Sequence, residues 1–157
     1  MSKKTNALRL LDAQKIPYEI VEYQYDAGDL SVEHIAKDNG LHLERIFKTL
    51  VAKGDKNGIA VAVVPGHKNL DFKTLAEASG NKKMTLVAVK DIQDLTGYIR
   101  GGCSPIGMKK DYPVYLDTSA LAYDVIYVNA GQRGLLVGLS PEALRRATGA
   151  VVREIAG

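Results

Sequence analysis

The pentapeptide GDKNG, residues 54–58, constrains the fold more than any other stretch of the chain. Asn57-Gly58 is a strong hairpin signal, because a two-residue turn needs residues that accept positive φ. Two apolar, β-branched runs flank it, Phe47–Lys53 and Ile59–Val64. The sequence therefore predicts two adjacent antiparallel strands. The first run holds an oddity. Ile46, Phe47, Leu50 and Val51 read as a strand entering a core, yet Lys48 sits among them. With a period of two, Phe47 and Thr49 face one side, and Lys48 faces the other with Ile46 and Leu50. Burying an unpaired ammonium is costly or lowers its pKa. Lys48 either snorkels to water or faces a polar cleft where a negative group is expected.

The rest of the chain reads around this hairpin. Residues 5–15 predict a helix capped by Thr5 or Asn6, with Ala7, Leu8 and Leu11 on one face and Pro17 stopping it. Tyr18, Ile20 and Val21 begin a short strand. Residues 31–39 predict a helix between Ser31 as cap and Gly40. Asp71–Ser79 predicts a third helix ending at Gly80, Met84–Val89 a strand, and Asp91–Thr96 a helical turn closed by Gly97. GYIRGGCSPIGMKK is too rich in Gly and Pro for regular structure. Val114–Asp117, Val125–Asn129 and Leu135–Leu139 predict three strands, with the Gly-rich NAGQRG between the last two. Ser140-Pro141-Glu142 opens a final helix ended by Gly149, and residues 151–155 predict a last strand. Helices do not alternate regularly with strands, so a doubly wound sheet is not indicated. The pattern predicts α+β: a curled, mixed, mostly antiparallel sheet flanked by helices, in one domain over residues 1–157.

The 157 residues suit one domain with a core of its own. One cysteine permits no intramolecular disulfide, which fits a reducing compartment. The first residues carry no apolar signal segment, and no run approaches the roughly 20 apolar residues of a membrane helix. The expected location is the cytoplasm, with no membrane or DNA partner. A net charge of +3 does not by itself imply nucleic acid. The pairs Lys82-Lys83, Lys109-Lys110 and Arg145-Arg146 can meet phosphates or form a solvated surface.

Familiar catalytic groupings are mostly missing. His34, His42 and His67 show no metal-ligand spacing, and no nucleophile elbow, P-loop or carboxylate pair stands out. No metal or cofactor is expected. Cys103 lies in a Gly-rich loop but has no evident base, so it reads as a small packed residue. The loop GGCSPIG matters more as backbone. Gly101 and Gly102 permit positive φ and close approach, and such a loop forms either a tight turn or a site that points N–H groups at an oxyanion.

Several segments together resemble the YbaK/EbsC family of small trans-acting aminoacyl-tRNA deacylases, relatives of the editing domain inserted into bacterial prolyl-tRNA synthetases. They are TNALRLLDAQKIPYEIVEY, RIFKTLV, VAVVPGHKNLDFKTLAEASGNKKM, GYIRGGCSPIGMKK and IYVNAGQRGL. FKTL combined with the GGxSPxG loop is the more specific part. The resemblance implies that Lys48 lies in an editing pocket and holds the aminoacyl ester end of a tRNA. It implies that Gly101, Gly102, Ser104 and Pro105 belong to the loop that contacts the aminoacyl group. Tyr23, Thr49 and Arg133 match further substrate-binding positions. Aminoacyl-tRNA is the implied partner, and prolyl-tRNA synthetase a possible second one.

For the YbaK branch the resemblance implies Cys-tRNA(Pro) as substrate. The cysteinyl thiol would attack its own carbonyl and leave as a thiolactone, so no enzyme nucleophile is needed. One departure stands out: an aspartate is expected shortly after the GQRGL turn, and Leu136 occupies its place. Two alternatives accompany this reading: an editing hydrolase for alanine or serine that uses water, and a non-catalytic module that binds tRNA or a synthetase.

Overall fold

The structure, a computed structural model, describes residues 4–157. The helices begin where capping residues satisfy their first free N–H groups. Helix α1 (Asn6–Ala13) follows Thr5, whose side chain accepts from Leu8 N, and it buries Ala7, Leu8 and Leu11. Strand β1 (Glu19–Glu22) leads through a long connection to α2 (Val32–Asn39), capped by Ser31 and closed by Gly40 in the left-handed region. The hairpin of β2 (Phe47–Gly54) and β3 (Ile59–Pro65) follows, then α3 (Phe72–Ser79), capped by Asp71. Next come β4 (Met84–Leu86), α4 (Ile92–Thr96), β5 (Val114–Asp117), β6 (Ile126–Asn129) and β7 (Leu135–Leu139). Helix α5 (Pro141–Thr148) and β8 (Val151–Arg153) complete the chain.

The α+β class and the antiparallel majority both hold. The expected curl takes the form of a division into two sheets. One is three-stranded in the order β1-β7-β6, and the other is five-stranded in the order β4-β2-β3-β5-β8. Among the described strand ladders, β3–β5 and β5–β8 are parallel and the others antiparallel. A bridge between Ile46 and Tyr127 joins the sheets at the start of β2. The Arg45 guanidinium reinforces that junction. It donates to Val125 O and lies 5.4 Å from the centroid of the Tyr127 ring, within cation–π range.

The five-stranded sheet is buried on both faces. Phe47, Val61 and Val63 pack into the larger core with α1, β6, β7 and α5. Ala52, Ala60, Ala62 and Val64 pack with α3 in a smaller one, and Leu50 leans on it. The alternation read from the sequence is thus followed. One predicted strand is shorter than expected. Residues 84–89 stay in register only as far as Leu86, and Val89–Asp91 form a 3-10 turn. Val87 N makes a last bond to Val51 O, and the chain then leaves the sheet with Leu86 and Val89 49% and 55% exposed. Apolar character alone did not keep this segment in the sheet, because nothing covers its outer face.

This early departure positions the site. Strand β4 pairs only with Ala52–Gly54, so Phe47–Leu50 have a strand partner on the β3 side alone. Beyond the Ile46–Tyr127 bridge, the opening half of β2 keeps an edge free of ladder pairing among the described residues.

Candidate active site

A pocket of about 300 Å³ lies against that free edge. Ile46, Phe47, Lys48 and Thr49 all line it, four consecutive residues. A pocket lying over one face of a strand would meet only alternate residues. This one abuts the edge, so both faces contribute. The other walls come from Tyr23 after β1, Leu30 to Ile35 around the start of α2, Gly101 and Cys103 of the long loop, Asn129 of β6 and Leu136 of β7. The volume falls at the small end of ligand pockets, which run roughly 300–1,000 Å³.

The pocket is polar at a few points only. Lys48 is half-buried and lines the wall. Thr49 Oγ1 is buried and has no hydrogen-bond partner among the described residues. A buried hydroxyl without a partner is costly unless something else meets it. Tyr23 is 6% exposed, and burial raises its phenol above the ordinary tyrosine value. It therefore stands as a neutral hydroxyl at physiological pH. Burial likewise pushes the Cys103 thiol up to about 11. A thiol held there is neutral at physiological pH and a poor nucleophile, as the sequence reading expects. Leu136, 3% exposed, makes its part of the wall apolar where a carboxylate was expected.

Of the residues singled out in the sequence, Lys48, Thr49, Tyr23 and Gly101 come together in this pocket. Gly102, Ser104, Pro105 and Arg133 lie behind its wall. Ser104 is fully buried, and its hydroxyl accepts from Ile106 N. Pro105 lines a different, shallow hollow beside Leu10 and Met108. Gly102 packs flat on the next turn: a Cβ there would come within 3.0 Å of Gln132 Cα. Its N–H donates to Ile99 O. Arg133 donates from Nε to Arg100 O and so braces the loop from outside. Gly101 is required on two counts, since its φ is +82° and a Cβ would sit 2.9 Å from Leu30 Cδ1.

Asn129 is the residue that sequence reasoning missed. Its Nδ2 donates to Gly101 O at 2.9 Å and approaches Tyr23 Oη at 3.4 Å. Its Oδ1 accepts from Gly131 N at 2.7 Å. One side chain thus ties the long loop, the Tyr23 phenol and the β6–β7 turn together. Its place at the last position of a predicted strand, just before a Gly-rich turn, was the available signal.

Fold and site together define a small pocket for a compact polar group, with an ammonium, an unpartnered hydroxyl and a glycine loop at its walls. The chain belongs to the aminoacyl-tRNA editing domain family, whose model matches residues 29–147. It is 49% identical over 98% of its length to EbsC of Enterococcus faecalis, named as a proposed Cys-tRNA(Pro)/Cys-tRNA(Cys) deacylase, and covers 93% of that protein. It is 29% identical over 57% of its length to the proline–tRNA ligase of Thermosipho africanus, matching 16% of that longer enzyme. Among solved structures, a proposed trans-editing enzyme for prolyl-tRNA synthetase superposes with a TM-score of 0.81 at 26% identity, covering 99% of each chain.

Proposed function

We propose that this chain is a trans-acting deacylase that clears mischarged aminoacyl-tRNA, with Cys-tRNA(Pro) as its substrate. The observation that carries the reading is Lys48 on the free edge of β2, lining one small pocket together with Tyr23, Thr49 and Gly101. The Lys48 ammonium orients the terminal ribose or its phosphate, and with it the neutral aminoacyl ester. Gly101 lets the ester approach the backbone closely.

The release step uses the substrate's own sulfur. The cysteinyl Sγ attacks the ester carbonyl, the C–S bond forms, and the C–O bond to the ribose breaks. The ribose oxygen takes up the proton that the thiol gives up, which leaves uncharged tRNA and a cyclic thiolactone. The protein supplies position and charge, and well-oriented intramolecular attack needs little more. The neutral Cys103 plays no part in bond making. Prolyl-tRNA synthetase is a fitting partner for delivery of the substrate.

Leu136 favours a second reading. An apolar wall in place of a carboxylate suits an alanyl group, and water would then be the nucleophile. A time course of ester loss from cysteinyl-, alanyl- and seryl-tRNA(Pro) separates the two. Selective loss of cysteine supports thiol assistance. Comparable loss of the seryl ester rules that mechanism out, and loss of alanine alone moves the chain to water-dependent editing. Stability of all three esters leaves a tRNA- or synthetase-binding module.

A further inference from the structure

A second hollow, of about 250 Å³, opens beside the pocket. Leu30, Ser31 and Gly101 line both, so the two cavities share a wall. Its remaining lining comes from the 27–29 turn and from Arg100. We infer that this hollow receives the 3′-terminal nucleotide of the substrate, with the Arg100 guanidinium on its 5′-phosphate. The inference rests on the deacylase reading above.

An aminoacyl group in the pocket is attached to a ribose, and that ribose carries a phosphate on its 5′ carbon, a few bonds from the ester. Both must lie next to the pocket, and this hollow adjoins it. Arg100 is exposed and forms no ion pair among the described residues. A guanidinium offers paired N–H groups that match phosphate oxygens. The backbone of Arg100 also gathers a second cation, because its carbonyl accepts from Arg133 Nε at 2.9 Å. Asp29 is the acidic side chain in the hollow, but it is held within its own turn. Its Oδ1 accepts from Ser31 N at 3.1 Å, and its Oδ2 lies 3.5 Å from His34 Nδ1. The charge of Arg100 is left for a ligand.

The test compares adenosine 5′-monophosphate with adenosine in ligand-observed NMR titrations of the whole chain at low salt. The wild type should bind the nucleotide roughly tenfold more tightly than the nucleoside, the size of one charge-assisted contact. Arg100→Glu should abolish that preference, and Arg100→Lys should keep part of it. Arg100 is exposed and structural only through its carbonyl, so both variants should fold. In a parallel arm, Arg100→Glu should raise KM for the aminoacyl-tRNA roughly tenfold with kcat held. Equal affinity for nucleotide and nucleoside in the wild type, or a preference that survives Arg100→Glu, overturns the inference. The titration does not depend on turnover. A phosphate preference in a protein that cleaves no ester would keep the hollow and remove the deacylase reading, whereas normal cleavage with no Arg100 effect would do the reverse.

Discussion

At the scale of single residues, the site works by placing polar groups where their neighbours cannot satisfy them. Lys48 occupies a strand position whose flanking residues serve two cores. Lys48→Ala should lower the deacylation rate roughly a hundredfold, as loss of one electrostatic contact in a preorganised site does. The melting temperature should stay close to that of wild type. An active alanine variant would remove the role assigned to the ammonium. Cys103 makes the opposite case, a residue whose environment silences it. With its thiol at about 11, alkylation by iodoacetamide should be slow at pH 8 and rise steeply only in strong alkali, and Cys103→Ser should keep its deacylase activity. Rapid labelling at pH 7.5 would contradict the buried, neutral thiol. Lys48 was legible in the sequence because a charge inside an apolar run is conspicuous. Asn129 was not, because its significance lies in contacts to residues 28 and 106 positions away.

At the scale of elements, the loops do what the strands cannot. The long loop of residues 97–113 has no regular structure, yet its Gly101 stands fixed between Leu30, Arg133 and the Asn129 amide. Asn129→Ala should free it. We expect a loss of about 1–3 kcal/mol in denaturant unfolding, from Gly131 N and Gly101 O left without their partner, together with a fall in kcat/KM. An unchanged kcat/KM would mean that the loop holds its place without the clamp. Asn81 provides the contrasting case at the other end of the sheet. Its Oδ1 accepts from Lys56 N and Asn57 N in the hairpin turn. Asn81→Ala should cost about 2 kcal/mol of stability and leave the kinetics untouched. The hairpin itself was readable from Asn57-Gly58, but its turn is not the two-residue one: Gly54 N donates to Gly58 O across residues 55–57, and of the pair Gly58 takes the positive φ and Asn57 does not. The split into two sheets was not readable, because it depends on how strands far apart in sequence pair. The early end of β4 escaped for a related reason: an apolar run specifies burial only if something covers it.

At the scale of the whole molecule, buried titratable groups set the response to alkali. Burial raises Tyr98 to about 12, and its hydroxyl donates to Ile106 O, while Cys103 sits at about 11. Both hold their protons more tightly folded than unfolded. Their contribution to stability is therefore complete below about pH 9 and lost as pH climbs through the folded values. Chemical denaturation at a series of pH values should show stability falling from pH 9 upward, with a smaller slope in Cys103→Ala. A flat profile over that range would refute the burial of these groups. The division into two sheets has a consequence for synthesis as well. The pocket draws on residues from Tyr23 to Leu136, and its last wall is a strand near the C-terminal end of the chain. On the ribosome, the hairpin of β2 and β3 can form early from local contacts, before β7 has been made. However early the hairpin forms, the pocket therefore stays incomplete in any nascent chain from which β7 has not yet emerged.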